Sequence, residues 1–220
     1  VSIDRSSAET LASAPVTFRR ALSGLRMAQP RAEVRLTEIP APQKIAPYAV
    51  AMAADVYPAV LPAPITSTVT TLGAVEDQDP NEPLATGRFI LLHDPAGSAV
   101  WKSTFRIVTF IRASVEAEMG VDPMAAEVAW TWLVEALDGH QVDYDQAGGT
   151  ATRVLSESFG VLDDRADAID IEMRASWSPT NLMGESMENH LEAWADMVCA
   201  FAGLPPVPEG VTVLPRARRT

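Results

Sequence analysis

His93 and Asp94 are neighbours, and a carboxylate beside an imidazole can orient it for general acid or base chemistry. They stand in His93-Asp-Pro-Ala-Gly97, which reads as a turn, where adjacent side chains diverge and Asp before Pro is ordinary turn composition. Arg112 and Arg174 are a second candidate pair. Each ends an alternating, strand-like run, and two guanidiniums on the solvent side of one sheet could clamp an acidic peptide or a phosphate. Cross-strand pairing with Glu116, Asp170 or Glu172 competes with that role. His140 shares a polar loop with Asp143 and Asp145 but has no second histidine at ligand spacing, and His190 lies off the helix face that Glu188 and Glu192 can share. His-Glu-x-x-His, Cys-x-x-Cys, P-loop and Gly-x-Ser-x-Gly patterns are all missing, and Gly148-Gly149 reads as a turn ahead of a strand. Cys199 sits in an apolar helix as an inert thiol. The residues therefore assign no catalytic, cofactor-binding or metal-ligating position.

The elements that would carry these groups repeat. Arg112-Ala113-Ser114 matches Arg174-Ala175-Ser176 at an offset of 62 residues, and Trp132 matches Trp194 at the same offset. Each match falls in an order of strand, turn, strand and helix, which predicts two β-β-α units. Before them, Phe18, Ala21, Leu22 and Leu25 have helical spacing after Pro15, Val34 to Ile39 reads as an edge strand, and Tyr48 to Val56 alternates. In the second unit Ile169, Ile171, Met173, Ala175 and Trp177 face inward, while Asp170, Glu172, Arg174 and Ser176 face out. The two later helices, about 124–138 and 188–202, are apolar over most of their circumference, so each must be buried on more than one side. One side lies on the sheet; the other meets a neighbouring helix or a second subunit. Trp132, Trp194 and Met197 are thus candidates for the core or a dimer surface.

The expected fold is α+β, an antiparallel sheet with apolar helices on one face and two β-β-α units after an N-terminal helix and strands. Residues 15–203 form a single domain between a disordered start, 1–14, and an extended tail, 204–220. The stretch 58–83, rich in proline and acids, reads as a mobile insertion.

Composition narrows the partners. A net charge of −12, from 17 basic against 29 acidic residues, argues against duplex DNA. Arg216, Arg218 and Arg219 concentrate positive charge at the tip of the tail, where an RNA-associated role would place its contacts. No apolar run approaches the ~20 residues that span a bilayer, and residues 1–14 lack the basic and apolar regions of a signal peptide, which makes the cytoplasm the default compartment. One cysteine allows no intrachain disulfide.

At Glu38-Ile-Pro-Ala-Pro-Gln43, Ala85-Thr-Gly-Arg88, Leu91 to Gly97, Arg112-Ala113, Arg174-Ala-Ser-Trp-x-Pro179 and Gly203-Leu-Pro-Pro206, the chain resembles the actinobacterial domain-of-unknown-function family numbered 3000. The resemblance runs from about Pro15 to Leu214 and departs chiefly in the insertion. It implies a cytoplasmic actinobacterial protein and brings no catalytic residues with it. The order of elements is also similar to type III secretion chaperone-like domains, including YbjN-like proteins, which back a sheet with helices and often dimerise. Together these readings favour a non-enzymatic protein-interaction or chaperone-like adaptor module with a protein partner, a homodimer being one form. A small-molecule-binding domain or enzyme with a pocket near His93, Asp94 and Arg112 is the alternative, and an RNA-associated regulator using the tail is the second.

Overall fold

In the computed structural model, residues 14–58, 82–115, 120, 122–162, 168–180 and 187–206 are described. The chain starts with helix α1 (Val16–Met27), entered through Pro15, whose φ of −52° suits a helix start. Its apolar stripe buries Phe18, Ala21, Leu22 and Leu25, and Arg26 in the last turn complements the negative end of the helix dipole. Strands β1 (Val34–Ile39), β2 (Tyr48–Val56), β3 (Ala85–Ser98) and β4 (Ser103–Val115) follow. Helix α2 (Ala125–Gly139), strands β5 (Tyr144–Ser156) and β6 (Ala168–Pro179), and helix α3 (Met187–Phe201) complete the order.

The six strands form one antiparallel sheet in the order β1-β2-β3-β4-β6-β5. Alternation places Phe89 and Leu91 of β3, Phe105, Ile107 and Ile111 of β4, and Ile171, Met173 and Trp177 of β6 on one buried face. The helices α1, α2 and α3 cover that face: α3 lies over β2, β3 and β4 between its neighbours α1 and α2, and α2 packs on α3 and β5. The α+β class and the helix-backed antiparallel sheet expected from the pattern are both present.

Two local expectations are corrected. His93 to Gly97 is not the turn: β3 continues through it to Ser98 with a register irregularity between His93 and Ser98, and the reversal falls at residues 99–102. Pro95 sits in the irregular stretch, where a missing amide hydrogen costs no regular ladder bond. Gly148-Gly149 is also not a turn; it lies inside β5, opposite Ser176 and Ala175. That strand therefore begins at Tyr144, earlier than its apolar pattern indicates, because its first residues owe their conformation to pairing with β6. The insertion from 59 to 81, the turn at Asp163-Asp164-Arg165, Glu116, and residues 1–13 and 207–220 lie outside the described residues.

The 62-residue offset has a geometric counterpart. β4 and β6, the second strands of the two units, pair antiparallel with Ile111 opposite Met173, positions that are themselves 62 apart. Adding the offset to one strand therefore reproduces the other about a local two-fold axis at that pair. The helices cross this axis. α2, which follows β4, packs on β5, and α3, which follows β6, packs on β3. Two glycines at the same offset allow this crossing: a Cβ on Gly87 would lie 2.6 Å from the Trp194 ring of α3, and one on Gly149 would lie 2.7 Å from the Arg174 carbonyl oxygen and 3.1 Å from the Trp130 ring of α2.

Candidate ligand face of the sheet

The other face of the sheet carries no helix among the described residues. Register decides which side chains meet there. Arg88 of β3 is opposite Phe110 of β4, Phe110 is opposite Arg174 of β6, and Thr150 of β5 lies beyond, so one row crosses four strands. The next row is Ile90, Val108, Ser176 and Gly148. These residues line an open groove of about 450 Å³, and on the β5 side Gly148 presents no side chain to it.

The arginines of this face are in different states. Arg112 is bound to Asp170 at 2.6 Å. Arg106 donates to Ser176 Oγ, Ser178 Oγ and the Gln146 carbonyl, and its desolvation pulls its pKa below the ordinary arginine value. Arg174 donates to Glu172 at 3.2 Å and holds its guanidinium 5.2 Å from the centre of the Phe110 ring, a cation–π geometry. Arg88 is exposed, and its guanidinium has no hydrogen bond or ion pair among the described residues. Phe110 is therefore flanked by one guanidinium already oriented against it and one that has no ion pair among the described residues.

His93, Asp94 and Arg112 do not converge. His93 is opposite Phe105 and Arg112 opposite Thr86, seven positions apart along β4, or roughly 23 Å at about 3.3 Å per residue. They also face opposite ways: His93 is 2% exposed, stacked on the rings of Phe18 and Phe105 under the helices, whereas Arg112 is on the helix-free face. Its Nδ1 lies 2.9 Å from the Thr104 carbonyl oxygen and its Nε2 3.2 Å from Thr17 Oγ1, so both ring nitrogens have partners. Burial lowers its pKa. Asp94 accepts from the Ala96 amide instead of the imidazole.

The other singled-out residues take structural places. His190 accepts from Trp177 Nε1 inside the core, and burial pushes its pKa down to about 4. His140, just past the end of α2, bonds to Asp196 on α3 at 2.8 Å, which raises its pKa, and lies 3.9 Å from Glu192. Glu192 in turn accepts the Gln29 amide beyond α1, so this polar cluster ties three helices. Burial raises the Cys199 thiol to about 12, leaving no thiolate at neutral pH. Trp194 and Met197 are fully buried, and the Trp194 indole donates to Thr109 Oγ1, which donates to the Arg88 carbonyl. Trp132 is partly buried, edge-on to Phe201. Arg216, Arg218 and Arg219 lie outside the described residues. Among the described residues no group of three His, Cys, Asp or Glu could hold a metal ion, and no helix is long and apolar enough to cross a membrane.

Arg88 and the role of Phe110 are the residues a reading of the sequence misses. The available signal is an aromatic and two aliphatics, Phe110, Val108 and Ile90, on the solvent parity of strands that otherwise put arginine there. Which arginine lies beside Phe110 is a matter of register, and register across β4 and β6 joins residues 64 positions apart.

No curated protein and no solved structure matches this chain. Residues 14–212, nearly the whole chain, match the family described as protein of unknown function DUF3000. The match takes in every strand and helix of the sheet and its cover, and by it the chain belongs to the DUF3000 family.

Proposed function

We propose that this chain is a non-enzymatic protein-interaction module of the chaperone-like adaptor kind, whose helix-free sheet face docks an extended acidic segment of a partner protein. The observation that carries the reading is the row Arg88, Phe110 and Arg174, with the Arg88 guanidinium exposed and unpaired among the described residues. An acidic side chain on the ligand meets Arg88 in a charge-assisted hydrogen bond, worth roughly 1.5–3 kcal/mol where water is excluded. A second carboxylate competes with Glu172 for Arg174, and an apolar side chain between them covers Phe110, Ile90 and Val108. The net charge of the chain is −12, so this local concentration of arginine selects where an acidic partner can approach at all. A cytoplasmic location, an actinobacterial origin and a likeness to YbjN-like chaperone domains accompany this proposal.

In-cell crosslinking and native capture with wild type, Arg88→Ala and Arg174→Ala test it. A protein partner recovered by wild type and lost on either substitution, with the melting temperature unchanged, is the expected result. A partner retained by the double variant, or a capture free of partner proteins, overturns the sheet face as the docking surface.

A further inference from the structure

We propose that the helix-free face is specific for a polyproline-II segment with acidic side chains three residues apart, a specificity that rests on that face being the docking surface for an acidic segment. The groove there has a direction. Its two rows, Arg88, Phe110, Arg174 and Thr150 beside Ile90, Val108, Ser176 and Gly148, each run across four strands. Three interstrand spacings make the rows about 14 Å long, and two residues along a strand set them about 7 Å apart. The long axis therefore crosses the strands, and an extended ligand lying in it passes from β3 to β5. Along that path the two guanidinium-bearing positions, Arg88 on β3 and Arg174 on β6, are separated by β4 alone. Two spacings put their backbones about 10 Å apart.

That separation selects the ligand's conformation. A β-strand turns every second residue to the same side, so its like-facing acids come at about 7 or 13 Å and miss one arginine or the other. A polyproline-II helix has three residues per turn and rises about 3.1 Å for each, which sets side chains i and i+3 on one face about 9 Å apart. Acids at those positions meet Arg88 and Arg174 together. The second displaces the Glu172 carboxylate, which holds Arg174 at 3.2 Å while the arginine side chain stays 60% exposed. Between the two acids the ligand backbone passes over the Phe110 ring. A second face of the helix turns to the other row. Proline or another apolar side chain next to the first acid covers Ile90 and Val108 there, and its equivalent one turn on fits beside Ser176, where Gly148 presents no side chain. The ligand pattern is acid, proline, any residue, acid, proline. Proline suits it in two ways, covering apolar surface and holding the segment in this helix before it binds. The chain's own sequence carries the pattern at Asp79-Pro80-Asn81-Glu82-Pro83, so every molecule brings a copy of the segment with its groove.

Titration calorimetry of the full chain with two blocked peptides of identical composition reads the spacing. Ala-Asp-Pro-Ala-Asp-Pro-Ala has its acids three residues apart, and Ala-Asp-Pro-Asp-Ala-Pro-Ala has them two apart. The first should bind roughly tenfold more tightly, the factor that one charge-assisted contact carries. Arg88→Ala, an exposed substitution, should abolish the difference. Both peptides are also titrated into Asp79→Asn/Glu82→Gln, which removes the charges of the chain's own copy. Equal affinities in both proteins overturn the spacing and leave the acidic-segment reading standing. Binding of neither peptide to either protein overturns both. A preference that survives Arg88→Ala overturns the proposal as well.

Discussion

Helices α2 and α3 occupy equivalent places in the two β-β-α units, yet one is a flank of the molecule and the other its centre. α3 buries residues around its whole circumference, among them His190, Leu191, Trp194, Ala195, Met197 and Phe201, whereas α2 buries the single stripe Ala125, Ala129, Leu133 and Leu137. Both sequences are apolar over most turns. The difference is lateral company: α3 has a helix on each side and three strands beneath, and α2 has one helix and the edge strand β5. Apolar surface is thus necessary for a central helix, and neighbours decide which helix becomes one.

The sharpest way to break this comparison is at the equivalent tryptophans. Trp194→Ala should cost about 3–5 kcal/mol, since it empties a fully buried site and removes the donor to Thr109 Oγ1. Trp132→Ala, which removes one partly exposed ring beside Phe201, should cost about 1–2 kcal/mol. Equal losses in urea denaturation would show that the two helices are not energetically distinct.

The histidines of the two helices give opposite pH dependences. His190 has its folded pKa at about 4, below the ordinary 6.5, so the unfolded chain takes up the proton first and stability falls as pH drops from 6.5 to 4. The full loss is roughly 3 kcal/mol at about 1.36 kcal/mol per unit. His140 has its folded pKa raised by the hydrogen bond to Asp196, so its contribution is complete below the unfolded value and is lost as pH rises through the folded one. Thermal melts between pH 4 and 8 should therefore show a gain in stability as pH falls toward 6.5 that is absent in His140→Gln, with the fall below 6.5 the same in both. A profile above pH 6.5 identical in wild type and variant would remove His140 from the clasp between α2 and α3.

Smaller effects test the crossing of the units. Gly87→Ala should cost about 1–3 kcal/mol, because its Cβ meets the Trp194 ring inside the sheet's centre. Gly149→Ala should cost a similar amount, because its Cβ meets the Arg174 carbonyl oxygen, a backbone atom that cannot swing aside; no loss at either position in chemical denaturation would argue against the crossed packing. Least of all, Arg88→Ala should change stability by under about 0.5 kcal/mol, against about 1–3 kcal/mol for Arg106→Ala, whose guanidinium makes three hydrogen bonds. A large Arg88 effect would mean that its guanidinium is structural and not held for a ligand.

Periodicity made the alternating strand β6, the amphipathic α1 and the two apolar helices legible, because each follows from burial on a fixed repeat of residues. It also placed Arg112 and Arg174 on the outward parity. Pairing was beyond its reach. Asp170 and Glu172 take up those two arginines, and Arg88 has no ion pair among the described residues, because the register of β3 with β4 and of β4 with β6 sets who stands beside whom. His93 shows the same limit from the other side. Its adjacency to Asp94 suggested chemistry, but strand alternation turns one side chain into the ring stack under α1 and the other toward the Ala96 amide.

By itself the sequence determined the class of fold, the order of strands and helices and the inward parity of the clean alternating runs, since those depend on local repeats; the turns at His93–Gly97 and Gly148-Gly149 it misplaced. Only the tertiary structure decided that α3 is the core helix, that each unit's helix crosses to the other unit's hairpin, and that Arg88, Phe110 and Arg174 form one row. These depend on contacts between segments far apart in the chain, where close approach at Gly87 and Gly149 and strand register, rather than local pattern, select the arrangement.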